Sequence, residues 1–316
     1  MIGNLIKLLK DPNGWLLVRQ EVATTLGSLA RAFPELALIY PILDTLCEAA
    51  KGALEGTRAD PTIRTNAIIS LSKLQDTSGK VVKGLIDALL KEEIKDVSGV
   101  TVTDPYTFVR ARAAENLGQT SSKAEESARK DAISKLRQIV EKPEQEPGQK
   151  PEQGQPYEKD LLVRLAAAAS LCELQQASDK VETLLLIASI EGPETLHRSY
   201  SASLLGQFGM YNESTLKVLW GGLPNTDIKM ASGLRDTEPQ VASASAQALA
   251  QLVRRFPDKA EEIQNWLVQA IEDPALDPRD HTLRSFAYEA LWLLVIGGEI
   301  QKKTISNLLA IQATNR

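Results

Sequence analysis

The sequence predicts an all-α protein, a right-handed superhelix of about seven stacked helix pairs that extends over residues 1–316 as one array. Three observations lead to this prediction. One twelve-residue segment occurs seven times, successive copies start 34 to 54 residues apart, and every copy has a leucine at the same place. Repeats of about 40 residues are typical of helix pairs that stack side by side.

The seven copies align without a gap. They are VRQEVATTLGSL, IRTNAIISLSKL, VRARAAENLGQT, VRLAAAASLCEL, HRSYSASLLGQF, VASASAQALAQL and LRSFAYEALWLL. Their second residue, taken as position zero, is arginine in all but the sixth copy: Arg19, Arg64, Arg110, Arg164, Arg198, Ala242 and Arg284. Position +7 is leucine in every copy: Leu26, Leu71, Leu117, Leu171, Leu205, Leu249 and Leu291.

Helical periodicity places the apolar residues of each copy on one face. Positions −1, +3, +4, +7 and +10 fall on the same side of a helix with 3.6 residues per turn. Small residues dominate at +3 and +4, as with Ala113 and Ala114. Each copy is therefore predicted to be an inner helix, with its leucine buried, that neighbouring helices approach closely.

An outer helix is predicted before each inner helix. An acidic residue and a proline precede most copies, as at Asp60-Pro61, Asp104-Pro105 and Glu238-Pro239, and both residue types favour a helix start. Further upstream lie amphipathic stretches at 35–54, 80–93, 123–142, 179–189, 213–223 and 258–272. The stretch at 2–10 resembles half a helix, and the stretch at 299–310 resembles a first helix without its partner. The array is therefore expected either to be cut from a longer protein or to end in short capping helices.

The order acidic residue, proline, Val-Arg, alanines and Leu-Gly resembles the HEAT and armadillo-type repeat family. The resemblance covers nearly the whole chain, although only Leu26-Gly27, Leu117-Gly118 and Leu205-Gly206 keep the Leu-Gly pair. It implies that the six arginines form a polar ladder with acidic residues, for example Asp60 with Arg64 and Asp104 with Arg110. Ala242 would interrupt this ladder.

Insertions are predicted at one edge of the array. Residues 143–156 contain four prolines, four glutamines and two glycines, a composition that does not support a packed element. We therefore predict a flexible Pro/Gln/Glu-rich insertion over residues 143–157. Shorter insertions begin at Asp96 and Pro224, at the same place in their own repeats, and such insertions often carry binding specificity.

Composition argues against several kinds of partner and compartment. The formal net charge is −5 and no cluster of basic residues occurs, so nucleic acid is not expected as a partner. No signal peptide or membrane-spanning stretch is recognisable. Cys47 and Cys172 lie in apolar helical patterns and are expected to be buried thiols. These features predict a cytoplasmic protein without membrane contact.

No constellation for catalysis, metal binding or cofactor binding is recognisable. His197 and His281 are the only histidines and stand apart, so neither a two-histidine metal site nor a catalytic triad can be assembled. No phosphate-binding glycine loop occurs. We therefore expect a non-enzymatic protein without a cofactor.

A partner-binding surface is predicted from the outward positions of the inner helices, +1, +2, +5 and +9. Most of these residues are small or polar, and bulky apolar side chains occur at Ile69, Leu165, Tyr200, Phe286 and Leu293. Tyr200 and Phe286 share position +2 and are expected to flank one groove. The four tryptophans, Trp15, Trp220, Trp266 and Trp292, are expected in the core or covering an end.

The expected function is a protein–protein interaction scaffold that offers its concave surface and edge loops to another protein. One alternative is a sensor or regulatory array cut from a larger signalling or defence NTPase. Another is an enzyme subunit, because the chain also resembles the HEAT-like subunits of bilin lyases, although those repeats are shorter. The partner and the oligomeric state are left open.

Overall fold

The computed structural model describes residues 1–54, 60–74, 79–90, 94–95, 101–102, 107–141, 160–221, 232–272 and 281–297. The chain forms two compact units, Met1–Ser178 and Asp179–Arg316. The architecture is helical, as the sequence predicts, apart from one short antiparallel pair of strands. That the whole chain forms a single array stays a prediction.

The first unit consists of nine helices over its described residues. They are α1 (Ile2–Lys10), α2 (Leu16–Ala32), α3 (Pro34–Ile39), α4 (Ile42–Ala50), α5 (Pro61–Ser72), α6 (Lys80–Leu89), α7 (Thr107–Ser121), α8 (Glu126–Val140) and α9 (Leu161–Glu173). Between α6 and α7, strand β1 (Ile94–Lys95) pairs antiparallel with β2 (Thr101–Val102). This pair lies where the sequence predicts only an insertion, and it is too short to alter the fold class.

The second unit continues the same alternation of helices. It contains α10 (Asp179–Glu191), α11 (Thr195–Phe208), α12 (Glu213–Trp220), α13 (Pro239–Arg255), α14 (Ala260–Glu272) and α15 (His281–Gly297). Short 3-10 helices at Gly233–Arg235 and Pro257–Lys259 precede α13 and α14. The insertion at 143–157 and the stretch at 299–310 lie outside the described residues.

Each of the seven copies lies on a helix that packs against the helix before it. The pairs are α1/α2, α4/α5, α6/α7 and α8/α9 in the first unit, and α10/α11, α12/α13 and α14/α15 in the second. Successive inner helices also contact each other, α2 with α5, α5 with α7 and α7 with α9, and then α11 with α13 and α13 with α15. Each unit is therefore a stack of helix pairs in two layers.

The leucines at position +7 form the centre of both cores. All seven, Leu26, Leu71, Leu117, Leu171, Leu205, Leu249 and Leu291, are fully buried. Burying a leucine side chain stabilises the folded state by about 1.5–3 kcal/mol. The predicted burial of the leucine in each inner helix is thus confirmed.

Helix starts follow the acidic residue and proline pattern where the structure describes them. The Asp60 carboxylate accepts a hydrogen bond of 2.8 Å from the backbone N–H of Ile63 at the start of α5. Pro61 and Pro239 occupy the first turns of α5 and α13. A side-chain acceptor at the cap and a proline without an N–H both suit a first turn whose N–H groups have no helical partner.

The predicted outer stretch at 35–54 differs from the structure because it is interrupted. It forms two helices, α3 and α4, which are separated at Tyr40 and Pro41. A proline cannot donate the next helical hydrogen bond and restricts the residue before it to extended backbone. The φ of −113° and ψ of 147° at Tyr40 agree with this reason.

Candidate functional site

The arginines at position zero cap the ends of the preceding helices. The Nε–H groups of Arg19, Arg64 and Arg110 donate hydrogen bonds of 3.1, 3.2 and 3.1 Å to the carbonyls of Leu9, Ala50 and Leu89. These carbonyls lie in the last residues of α1, α4 and α6, and all three arginines are nearly inaccessible to solvent. A buried cation satisfies the last carbonyls of a helix and also interacts favourably with its dipole.

The same arrangement continues in the next two copies. Nη2 of Arg164 lies 3.5 Å from the carbonyl oxygen of Val140, at the end of α8. Nη1 of Arg198 donates a bond of 3.0 Å to the carbonyl of Gly192, directly after α10. Arg284 is half-buried, and Ala242, which has no guanidinium, is fully buried in the sixth copy.

One arginine at position zero also forms an ion pair between successive repeats. Nε and Nη2 of Arg198 donate to the two carboxylate oxygens of Asp236, at 2.9 and 3.2 Å. The Asp236 side chain is only 2% exposed, and the hydrogen bonds to it raise the pKa of Arg198. Asp236 lies two residues before Glu238-Pro239, in the segment that leads into α13.

The other predicted pairs of the ladder stay predictions. Asp60 caps its own helix α5 while Arg64 caps α4, and Asp104 lies outside the described residues. What the structure adds is the role of five of these six arginines as caps of the preceding helix. They are part of the scaffold rather than a row that faces a ligand.

Four of the five predicted surface residues are partly accessible. Ile69, Tyr200, Phe286 and Leu293 are half-buried at outward positions of α5, α11 and α15. The prediction for Leu165 is wrong, because this side chain is completely buried. Apart from Arg164, the residues of helix α9 from Leu162 to Cys172 are all apolar or small, and a helix of this composition is buried on most of its sides instead of along one stripe.

In the second unit, the partly accessible aromatic residues flank an alanine. Tyr200, Ala244 and Phe286 occupy position +2 on the consecutive inner helices α11, α13 and α15. Because Ala244 has the smallest side chain of the three, the surface is lower between the two rings. We call these three residues, with Ser203 and Gln247, the Tyr200–Phe286 face.

Hydrogen bonds hold the margin of this face in place. The hydroxyl of Ser243 on α13 donates a bond of 2.8 Å to the Glu289 carboxylate on α15. Nη2 of Arg254 donates to the carbonyl of Leu293 at 3.1 Å. The face thus combines aromatic area with hydroxyl and amide groups on supported helices, a combination common in protein-binding surfaces.

In the first unit, the corresponding surface is more polar. The side-chain amide of Asn66 on α5 donates to the carbonyl of Gln20 on α2 at 3.3 Å. Arg112 and Glu115 form an ion pair of 2.7 Å on α7. Partial desolvation raises the pKa of the Glu173 carboxyl, which stays accessible to solvent on α9, and the negative charge of Glu115 raises it further.

Glu173→Gln is expected to stabilise the protein at neutral pH, because an amide is neither repelled by Glu115 nor penalised by desolvation as an anion. A carboxyl whose pKa is higher in the folded state favours folding most below its ordinary pKa of 4.5. This contribution is lost as the pH rises through the folded-state pKa. Glu173→Gln should therefore raise the free energy of unfolding near pH 7 and leave it unchanged near pH 4, as measured by urea unfolding.

The exposed Glu21→Gln serves as the control for this experiment, since Glu21 lies on the outer surface of α2. It should change the free energy of unfolding little at either pH. An equal gain from Glu173→Gln at both pH values would contradict the electrostatic explanation.

Sequence reasoning missed an exposed apolar cluster at the start of α2. Trp15, Leu16, Leu17 and Val18 are 82, 49, 73 and 40% exposed. Trp15 falls on the buried stripe by helical periodicity, but it is the N-cap residue with ψ of 128°. Its non-helical backbone directs the side chain away from the stripe, so the predicted covering role of Trp15 is wrong.

The other tryptophans divide between core and surface. Trp220 is buried and its ring meets that of Trp266 edge-on, with centroids 6.2 Å apart. Trp292 is 63% exposed, which corrects its predicted position in the core or over an end. Position +8 meets the next inner helix in the copies that have glycine there, whereas no inner helix follows α15 among the described residues.

Chemical groups typical of catalytic or metal sites are sparse in the part of the chain described. His197 is buried, and its Nδ1 has no hydrogen-bond partner among those residues, while the side chain of His281 is not described. Cys172 is buried and Cys47 is partly buried, and neither forms a disulfide bond. Within the described ranges, no group of three histidine, cysteine or carboxylate residues could hold a metal ion.

No helix in the described ranges combines the length and apolar composition needed to cross a bilayer. No protein-family model matches the sequence, and no curated protein matches it either.

Proposed function

We propose that this chain is a non-catalytic scaffold that binds another protein, built as a right-handed HEAT-type superhelix and working in the cytoplasm. The repeated copies on seven inner helices, each with its leucine buried, support the repeat architecture. In such stacks the inner helices line a continuous surface suited to an extended partner.

The observation that carries the proposal is the Tyr200–Phe286 face. Two partly accessible aromatic rings occupy the same register on alternate inner helices of one unit, with Ala244 between them. Aromatic side chains that bury on association often contribute most of the binding free energy, and the polar groups around them fix the orientation. The partner expected here is a protein segment with apolar side chains that fit on either side of α13.

The test is capture of partners from an extract of the source cell by the full chain, with identification by mass spectrometry. Tyr200→Ala combined with Phe286→Ala is expected to weaken binding of the captured protein at least about tenfold, because losing a central aromatic contact costs 1.4 kcal/mol or more. Ile69→Ala and deletion of residues 143–156 test the first unit and the edge insertion.

Ile187→Ala provides the matched control. Ile187 is 47% exposed on the outer helix α10, so its loss should leave binding unchanged if the inner face is the site. Binding that survives all of the inner-face and insertion variants would refute the proposed location. Capture of a pigment, or a nucleotide-binding domain encoded in the same gene, would favour one of the two alternative functions.

A further inference from the structure

Glycine makes three of the inner-helix crossings unusually close. At position +8, Gly27, Gly118 and Gly206 lie against Ser70, Ser170 and Ala248, which occupy position +6 of the next copy. A methyl group on Gly27 would lie 3.0 Å from Cα of Ser70, and one on Gly118 would lie 2.9 Å from Cα of Ser170. Real carbon–carbon contacts are about 3.5–4.0 Å, so only glycine permits these approaches.

In the first unit, a buried hydroxyl joins the helices at each close crossing. The Ser70 hydroxyl on α5 donates to the carbonyl of Ala23 on α2 at 3.1 Å. The Ser170 hydroxyl on α9 donates to the carbonyl of Ala114 on α7 at 2.6 Å. Both serines are inaccessible to solvent, and a hydrogen bond shielded from water resists opening because each group left unpaired would be costly.

The crossing of α5 with α7, which lies between these two, is built differently. Its equivalent positions hold Ser72 and Asn116, and both are partly exposed. The Ser72 hydroxyl donates to the carbonyl of Ile69 at 2.9 Å, and the Asn116 amide donates to that of Arg112 at 2.8 Å. These side chains bond within their own helices, so at this register neither of them joins α5 to α7.

We call the boundary between two successive helix pairs a seam and name it by its two inner helices. At the α5/α7 seam, the close contact is between the outer helices α4 and α6. A methyl group on Gly84 of α6 would lie 3.1 Å from Cβ of Cys47 on α4. The outer helices therefore meet tightly while the inner helices beside them lack the glycine and serine contact. Helices α5 and α7 still pack against each other, but without a glycine crossing held by a buried serine, so rotation about the outer contact costs less free energy here than at the other two crossings.

We infer that the first unit is made of two rigid blocks, α2 with α5 and α7 with α9, which move relative to each other at the α5/α7 seam about the Gly84–Cys47 contact. The movement changes the spacing between Lys73 on α5 and Gln119 on α7. The distance between the two blocks across the inner surface of this unit is therefore adjustable. The inference concerns the free chain and does not depend on the proposed binding function.

Four exposed residues at position +9 allow this movement to be measured. They are Ser28, Lys73, Gln119 and Glu173, on α2, α5, α7 and α9. In the full chain with Cys47→Ser and Cys172→Ala, cysteines placed at adjacent pairs of these sites carry nitroxide labels. Double electron–electron resonance spectroscopy then gives the distribution of distances between the two labels across each seam.

The expected result is a distribution for the 73/119 pair about twofold wider than those for the 28/73 and 119/173 pairs. Equal widths for the three pairs would overturn the inference. Circular dichroism of each labelled chain, compared with the unlabelled chain, checks that the fold is kept.

A second variant tests whether the glycine and serine contact is what makes a seam rigid. Ser72→Gly together with Asn116→Ser places a glycine on α5 opposite a serine on α7, as at the two close crossings. The 73/119 distribution should then narrow to the width found at the other two seams. An unchanged width would show that the glycine and serine contact does not set the stiffness of a seam.

Discussion

Arg198→Ala is expected to lower the free energy of unfolding by about 3–5 kcal/mol, because it would leave a buried carboxylate without its partner. The Asp236 side chain is 2% exposed and receives two hydrogen bonds from the Arg198 guanidinium. The same substitution removes the cap on the carbonyl of Gly192. Urea unfolding of the full chain, followed by far-UV circular dichroism, measures the loss.

Two further variants show whether the buried Arg198–Asp236 pair contributes more to the free energy of unfolding than an exposed ion pair does. Lys130→Ala removes an exposed pair with Glu126, whose side chains are 73 and 69% exposed, and should cost less than about 0.5 kcal/mol. Arg198→Lys keeps the charge but not the two-pronged geometry, so an intermediate loss is expected. If Arg198→Ala cost no more than Lys130→Ala, Asp236 would not depend on the guanidinium.

Gly206→Val is expected to lower the free energy of unfolding by about 3 kcal/mol, because the new side chain would overlap helix α13. A methyl group at this position would lie 2.7 Å from Cβ of Ala248. Helices α11 and α13 cannot separate easily, since Nη1 of Arg255 donates to the carbonyls of Gly206 and Gly209 at 3.3 and 2.8 Å. Thermal and urea unfolding should both show the loss.

Gly3→Ala is the control for added volume in a helix. No atom lies within 4 Å of the place where its methyl group would go, so alanine should leave stability unchanged or raise it by up to about 1 kcal/mol through its higher helix propensity. A loss for Gly206→Val as small as the effect of Gly3→Ala would mean that the α11/α13 crossing is loose.

The candidate site was only partly predictable from the sequence. Tyr200 and Phe286 were correctly placed on an outward register, because helical periodicity assigns each residue a face. Leu165 is also at an outward position but is buried, since most residues of its helix are apolar or small and helices α7 and α8 pack against that helix. Helical periodicity gives the face of the helix on which a side chain lies, whereas its exposure depends on which other elements pack against that face.

The arginines show a similar limit. Their regular position indicated a structural role, and five of them are seen to bond carbonyls at the end of the preceding helix. Which acidic residue, if any, an arginine meets depends on the path of the loop before the next helix. For Arg198 this residue is Asp236, directly after a short 3-10 helix that no repeat pattern predicts.

The sequence by itself determined the helical class, the seven inner helices and the inward face with its buried leucines. These properties follow from residue type and spacing within about twelve neighbouring residues, which the 3.6-residue period converts into one apolar stripe. Tertiary structure alone decided which helix crossings combine glycine with a buried serine hydroxyl, and which carboxylate Arg198 binds. Those outcomes depend on atoms 38 or more residues apart, whose approach is set by how the helices stack.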